Sequence, residues 1–337
     1  MKTAKILAFI GCLLIASCGI KNGNGETEGE LILCKGLAAK PILLHFVTDD
    51  VGYAFVNVGY MYEQAEAVIY KTMDGGKNWN GVKSVENYLF SGTKSVAIGE
   101  NIYCYINSED DYSVNRIVCF NCQNNTVKVS DFVVQAIGDV WEQNGKICSN
   151  VYLDSVYCLL QVDTSLNNFV VKKRTENKEM SDGFCCDKSN IYSITYDNQL
   201  VVQSDSHVKK ITICNPKCIT KITEGKVLVA ANTSRDTITL FEYSSDSNWL
   251  RAIHAIPGYN IAKDFQMDKA NKTLVGFVGN IKGHLVEYDM VCCPIETQQL
   301  SIVTLLIPYS VTPNDITEKY MFVFWDRHSL QRYTLPR

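Results

Sequence analysis

Gly52-Tyr53-Ala54-Phe55-Val56, followed after a loop by Ala67-Val68-Ile69-Tyr70-Lys71, reads as a hairpin of two strands, because β-branched and aromatic residues crowd into runs too short for a helix. The pairing recurs along the chain. Further first members are Ile102 to Ile106, Gly145 to Cys148, Ile191 to Thr195, Val227 to Ala231, Thr273 to Phe277 and Met321 to Trp325. Their partners are Arg116 to Phe120, Val156 to Val162, Gln199 to Gln203, Thr237 to Tyr243, His284 to Tyr288 and Gln331 to Thr334. The centres recur roughly every 45 residues, the spacing of propeller blades. The expected fold is therefore an all-β propeller of seven blades, with six or eight also compatible with the uneven spacing and a pair of β-sandwiches as the competing arrangement. Glu30 to Cys34 supplies an N-terminal strand able to complete the blade that Val311 to Thr334 begins, so the ring is expected to close by pairing its two chain ends.

Five of the partner strands end on an aromatic residue just before a polar turn: Tyr70, Phe120, Tyr243, Tyr288 and Tyr333. In Phe241-Glu242-Tyr243 and Val286-Glu287-Tyr288 a glutamate precedes it. Composition agrees with a packed chain, since 46% of the 337 residues are hydrophobic and 20% charged. Seven prolines and 21 glycines are too few for a collagen-like or linker-dominated chain. A net charge of −4, without a cluster of Lys or Arg, leaves no field for a phosphate backbone, which excludes nucleic acid as an expected partner.

Lys2 and Lys5 precede the apolar run Ile6 to Ala16, the pattern of an export signal, and the run is shorter than the about 20 residues that span a bilayer. Ile15-Ala16-Ser17-Cys18 resembles the lipobox of bacterial lipoproteins. That resemblance implies removal of residues 1–17, lipidation of Cys18 and attachment to a membrane by acyl chains; an ordinary secretory signal with an incidental cysteine is the alternative. Residues 18–30, which include GIKNGNGETEGE, read as a flexible tether, and residues 31–337 as the propeller. Gly19, where some lipoproteins carry an inner-membrane retention aspartate, implies by the same resemblance the outer membrane of a Gram-negative bacterium, with either side open.

Thr72-Met73-Asp74-Gly75-Gly76-Lys77-Asn78-Trp79 matches the pattern Ser/Thr-x-Asp-x-Gly-x-x-Trp and resembles the Asp-box (BNR) β-propellers, the sialidase superfamily and the Ycf48-like proteins among them. Phe46 to Phe55 is similar to the first half of the same blade in that family. The expected role of Thr72, Asp74, Gly76 and Trp79 is structural: the carboxylate caps a tight turn, glycine accepts positive φ, and the indole packs into the blade. Ser244-Ser245-Asp246-Ser247-Asn248-Trp249 keeps the aspartate and tryptophan at another spacing and lacks the glycine.

Sialidases clamp a carboxylate with three arginines. Their early Phe/Tyr-Arg-Ile/Leu-Pro motif is absent, and the first arginine here is Arg116. The five histidines stand singly, with no His-Glu-x-x-His pattern, P-loop, dinucleotide fingerprint or Gly-x-Ser-x-Gly elbow. No catalytic set, metal site or cofactor is expected. Fourteen cysteines, less Cys12 in the signal and Cys18, leave an even number. Cys104 with Cys119, and Cys148 with Cys158, lie symmetrically about turns and are candidate cross-hairpin disulfides, although cross-strand bridges need strained geometry. Buried free thiols are the alternative. Cys119 with Cys122, and Cys214 with Cys218, have short spacings that zinc can share, but neither has a matched second pair. Adjacent Cys185-Cys186 and Cys292-Cys293 should point to opposite sheet faces.

The expected function is that of a non-catalytic, monomeric, lipid-anchored propeller of the cell envelope, binding a glycan or protein ligand or serving as a scaffold. Ser108 to Tyr112 and Tyr60 to Glu63 are candidate contact loops. A carbohydrate-active hydrolase and a Ycf48-like assembly factor are the alternatives. Two or more carboxylates with an aromatic residue in one axial pocket would favour the hydrolase, and a basic axial patch the assembly factor.

Overall fold

The computed structural model describes residues 29–59, 66–108, 111, 114–134, 136–153, 156–175, 184–187, 189–195, 197–204, 206–268, 270, 272–282, 285–305 and 314–336. Its strands begin with β1 (Gly29–Leu33), and β2 (Leu43–Phe46), β3 (Gly52–Val58), β4 (Glu66–Thr72) and β5 (Asn80–Glu86) form the first blade. The second is β6 (Tyr88–Ile98), β7 (Asn101–Ser108), β8 (Asn115–Asn121) and β9 (Thr126–Val129). The third is β10 (Ala136–Gln143), β11 (Lys146–Leu153), β12 (Val156–Val162) and β13 (Phe169–Thr175), and the fourth β14 (Phe184–Cys186), β15 (Ile191–Ile194), β16 (Gln199–Gln203) and β17 (Val208–Thr212). The fifth is β18 (Pro216–Thr223), β19 (Lys226–Ser234), β20 (Thr237–Ser244) and β21 (Trp249–Pro257), and the sixth β22 (Ile261–Met267), β23 (Thr273–Lys282), β24 (Leu285–Pro294) and β25 (Ser301–Thr304). The seventh joins β26 (Asn314–Ile316), β27 (Tyr320–Asp326) and β28 (Ser329–Thr334) to β1. The hairpins read from the sequence are the second and third strands of these seven blades.

Both faces of an inner sheet are covered by neighbouring blades, so the second strands read as continuous apolar runs rather than alternating ones. In β3 the run Gly52 to Val56 is wholly buried, and in β7 Ile102 to Ile106. Fourth strands face water on one side and alternate, as β9 and β17 do. Tight turns join the strands. Asn144 and Gly145 both have positive φ between Gln143 and Lys146, the pairing that a two-residue hairpin favours.

β1 is the outermost strand of the last blade, antiparallel to β28 from Gly29 opposite Tyr333 to Leu33 opposite Ser329. It starts two residues before the composition-based boundary at 31. Its Ile32 joins Phe322, Phe324 and Leu330 of the seventh blade and Leu44, Phe46, Val56 and Trp79 of the first in one buried cluster. Phe46 stacks on Phe322 with centroids 3.8 Å apart, and Trp79 lies 5.8 Å from Phe324. Five more clusters fill the seams between blades one and two, two and three, four and five, five and six, and six and seven. Among the described residues no such cluster fills the seam between the third and fourth.

Because each blade is an antiparallel meander, its first and third turns emerge at one end of the ring, and its second turn and the link to the next blade at the other. Gly29 enters at the first of these ends. Truncation of Ile32, 3% exposed, to alanine should cost about 2–4 kcal/mol in denaturant unfolding, whereas Leu31→Ala on the same strand, 48% exposed, should stay within about 0.5 kcal/mol. Equal losses would mean that β1 does not carry the closure.

Candidate functional site

The Thr72–Trp79 turn joins the third and fourth strands of the first blade. Thr72 is fully buried, and its hydroxyl donates to Asp74 Oδ1 at 2.8 Å while accepting from the Gly76 N–H at 3.1 Å. Asp74 accepts in turn from the Asn78 N–H at 2.9 Å and from its side-chain amide at 2.7 Å. Burial alone would raise the Asp74 pKa, but these donors outweigh it and hold it below the usual carboxylate range. The indole N–H of Trp79 donates to the Gly76 carbonyl at 2.7 Å. Gly75 and Gly76 have φ of 69° and 95°, and a Cβ at Gly76 would meet Leu330 of the seventh blade at 2.5 Å, so the turn is packed into the closing seam. The corresponding turn of the third blade repeats the arrangement without the sequence pattern: Asp163 accepts from the Asn167 N–H at 3.2 Å and the Asn168 amide at 3.2 Å.

The inner strands enclose an axial cavity of about 240 Å3 whose polar lining includes Lys94, Trp141, Glu142, Asp264, Gln266 and Asp315. Three of these strands leave regular register here, β6 between Ser91 and Val96, β10 between Ile137 and Val140, and β22 between Lys263 and Gln266. Such bulges turn side chains toward the axis. Asp264 sits in the last with φ of 53°, an uncommon conformation that aspartate tolerates. Its Oδ2 is buried without a hydrogen bond and lies 3.5 Å from Lys263 Nζ, and the Trp141 indole N–H is likewise buried without a partner. Asp315 accepts from the Phe46 N–H. A wider recess of about 530 Å3 shares Ser95, Val96, Gln266 and Asp315 with the cavity and continues past His45 and Glu100 to the end where Gly29 enters. The lining sets one lysine against three carboxylates, so it is acidic rather than basic. It presents acceptors to a hydroxylated or cationic group and one indole donor to an acceptor. Among the described residues no three His, Cys, Asp or Glu side chains come together as a metal-binding group.

At the same end, Asp187 is buried in the first turn of the fourth blade and accepts from the Ser189 N–H at 2.8 Å, the Asn190 N–H at 2.7 Å, the Gly225 N–H at 3.0 Å and the Tyr192 hydroxyl at 2.6 Å. The bond to Gly225 ties the fourth blade to the fifth. Burial would raise its pKa, but the Tyr192 hydroxyl and the three N–H donors prevail and lower it.

The register corrects the cysteine pairing. Cys104 stands opposite Val118 and Cys119 opposite Tyr103, so adjacent rungs send the two thiols to opposite faces. Cys148 stands opposite Gln161 and Cys158 opposite Val151, several rungs apart. All four are thiols rather than disulfide halves. Burial pushes Cys104 and Cys119 up from the ordinary thiol value, and Cys148 up to about 11. Cys292 and Cys293 do face apart, the first into the seam between blades six and seven and the second into that between five and six. Cys18 and the loop Tyr60 to Glu63 lie outside the described residues, as does Ser108 to Tyr112 apart from Ser108 and Asp111. No sequence signal marked Lys94, Trp141, Glu142, Asp264, Asp315 or Asp187; a bulge shows in register, not in spacing.

No family model matches the chain, and no curated protein matches it. Solved structures do resemble it. YCF48 bound to D1 peptide superposes with a TM-score of 0.57 at 11% identity, over 96% of this chain and 98% of that one. A chain of the mitotic checkpoint complex gives 0.59 at 11%, over 99% and 100%. A protein described as a 6-phosphogluconolactonase from Bacteroides uniformis ATCC 8492 gives 0.52 at 13%, over 82% and 89%. At these identities the likeness is one of fold: this chain is a seven-bladed β-propeller.

Two outcomes follow from the site. Asp187 has a lower pKa folded than the about 3.9 of an unfolded aspartate, so its contribution is present above that value and lost as pH falls through the folded pKa. Asp187→Ala should cost about 1–3 kcal/mol near neutral pH, by stranding four donors, and should shrink the acid-side fall in urea midpoint. An acid limb identical to wild type would refute the assignment. In alkylation of the native chain followed by mass spectrometry, exposed Cys214 should react before Cys34, Cys148, Cys292 and Cys293, whose thiols burial pushes up to about 12, 11, 12 and 11. Prior or equal modification of any of these four would contradict their placement.

Proposed function

We propose that the chain is a lipid-anchored scaffold or recognition propeller of the cell envelope that docks a protein partner and performs no reaction itself. The observation that carries this is the likeness in fold, over nearly all of both chains, to YCF48 captured with a peptide, together with a Thr72–Trp79 turn whose hydrogen bonds suit an Asp-box. Likeness to a chain of a multiprotein checkpoint assembly supports the same class of role. The anchor at Cys18 rests on the lipobox resemblance. Gly29 enters the ring at the end carrying the Thr72–Trp79 turn, so a tether to Cys18 would bring that end toward the lipid.

A second reading, a carbohydrate-active hydrolase, draws support from the axial cavity, where Glu142, Asp264 and Asp315 share one space with Trp141. The acidic lining does not favour an assembly factor that uses a basic axial patch.

Mass spectrometry of the mature N-terminal peptide should find acylated Cys18, and a mature chain starting elsewhere would remove the anchor. A photocrosslinker at Met73, 64% exposed, should capture a discrete envelope protein that, once purified, binds the full chain saturably. Failure of that binding, with turnover of a glycoside panel that disappears in Glu142→Gln and Asp264→Asn, would replace the scaffold with the hydrolase.

A further inference from the structure

Six seams of the ring are packed with hydrocarbon, and the seam between the third and fourth blades differs in kind. Alternation explains how. In β11 and β12 the side chains of Ile147, Val151, Cys158, Leu160 and Val162 face the second blade, which leaves Cys148, Leu159 and Gln161 for the fourth. In β15 and β16, Tyr192, Ile194, Leu200 and Val202 face the fifth blade, leaving Ile191, Ser193, Val201 and Gln203 for the third. Cys148, Ser193 and the amides of Gln161 and Gln203 thus share the seam with only three branched aliphatics, Leu159, Ile191 and Val201, and no aromatic among the described residues. Blades so furnished cannot close on each other, and a cleft of about 580 Å3 remains. One described hydrogen bond crosses it, from the Gln143 side-chain amide to the Asp187 carbonyl.

Lysines outnumber carboxylates in this cleft by two to one. Lys146 and Lys172 line it, both exposed, and among the described residues neither has a carboxylate partner. Lys172 is the extra residue of a bulge, since Lys173 pairs with Leu159 and Val171 with Leu160, and the bulge takes it out of the regular alternation of β13. The one carboxylate of the lining, Asp187, is committed to four donors. The rest of the polar lining consists of amides and hydroxyls, among them Asn144, Gln161, Asn190 and Gln203. Cys148 at the floor is held protonated by burial, with its pKa pushed up to about 11, so it adds no negative charge.

We propose that the cleft between the third and fourth blades binds an acidic segment of a partner polypeptide, its carboxylates held by Lys146 and Lys172 and its backbone amides by the side-chain amides of the walls. This rests on the scaffold reading and names the site through which it would act. Amides that offer both donor and acceptor match a peptide backbone, and paired ammonium groups match spaced carboxylates. The cleft opens at the end of the ring where Gly29 enters, because its rim includes the first turns of both blades. With a chain of net charge −4, attraction of an acidic peptide must come from such a local site rather than from the overall field.

An oligo-glutamate peptide titrated against the full chain should bind, and added salt should weaken the binding. Lys146→Glu/Lys172→Glu should lower the affinity about tenfold or more, while Lys35→Glu/Lys83→Glu, with the same change in net charge elsewhere on the surface, should alter it by less than about threefold. Both cleft lysines are exposed and, among the described residues, without a carboxylate partner, so the variant should keep the wild-type thermal midpoint, which is measured alongside. The proposal fails if the two double variants behave alike, if oligo-glutamine binds as tightly as oligo-glutamate, or if oligogalacturonate binds in a Lys146- and Lys172-dependent manner while oligo-glutamate does not. Should the crosslinked partner bind wild type and Lys146→Glu/Lys172→Glu equally, the scaffold reading stands and the cleft assignment falls. Oligo-glutamate binding at the cleft with no protein partner at all would do the opposite, keeping the cleft as an acidic-peptide site and removing the scaffold.

Discussion

Each sheet in the ring has to bury two faces, and the ring has to end where it began. The pairing of β1 with β28 meets the second demand, and it makes the first possible, because the cluster around Ile32, Phe46, Trp79 and Phe322 exists only when the chain ends meet. Closed ends remove the lateral edges of the ring that an open row of blades would expose. The Thr72–Trp79 turn belongs to the same constraint. Its carboxylate and threonine satisfy the donors of a tight loop, which frees Trp79 to pack against Phe324 across the closing seam. Local capping and long-range closure thus depend on one another.

The second and third strands of every blade were legible in the sequence, because two buried faces demand uninterrupted Val, Ile, Tyr and Phe, and such runs stand out between polar turns. First and fourth strands were much less so. β14 and β26 have three residues each, and the register of β6 breaks across Gly92 to Ser95, so no period marks them. The cysteine pairs failed for a related reason: symmetry about a turn does not fix which residues oppose each other, and one rung of offset sends Cys104 and Cys119 to opposite faces. Asp163 shows the converse, since its turn repeats the hydrogen bonds of Asp74 without the glycine or tryptophan that made the first conspicuous.

The unusual seam also left a trace in the sequence. Third strands carry an aromatic within two residues of their end in four blades, at Tyr70, Phe120, Tyr243 and Tyr333; those of the third, fourth and sixth blades end on Gln161-Val162, Gln203 and Cys293-Pro294, since Tyr288 lies near the start of β24. The third and fourth are the two neighbours among them, and they face each other across the polar cleft. The absence of an aromatic could be seen in one dimension, but its consequence could not, because only the ring makes two of the deficient strands neighbours.

The axial cavity and the cleft ask different things of a ligand. At the axis, Glu142, Asp264 and Asp315 outnumber Lys94, and carboxylates there would repel the acidic segment that Lys146 and Lys172 attract. A single partner therefore gains from touching both only if it carries opposite charge at the two points, acidic where it meets the cleft and basic or hydroxylated where it meets the axis. The two openings lie at the same end of the ring, so one partner surface can reach them together. That arrangement favours orientation over strength: a partner rotated about the ring axis would keep its axial contact and lose its contact with the cleft, and a partner of uniform charge would lose one of the two in any rotation. A ring of similar blades has little else with which to specify a rotational setting, because four of its seven third strands close alike. The polar seam breaks that similarity.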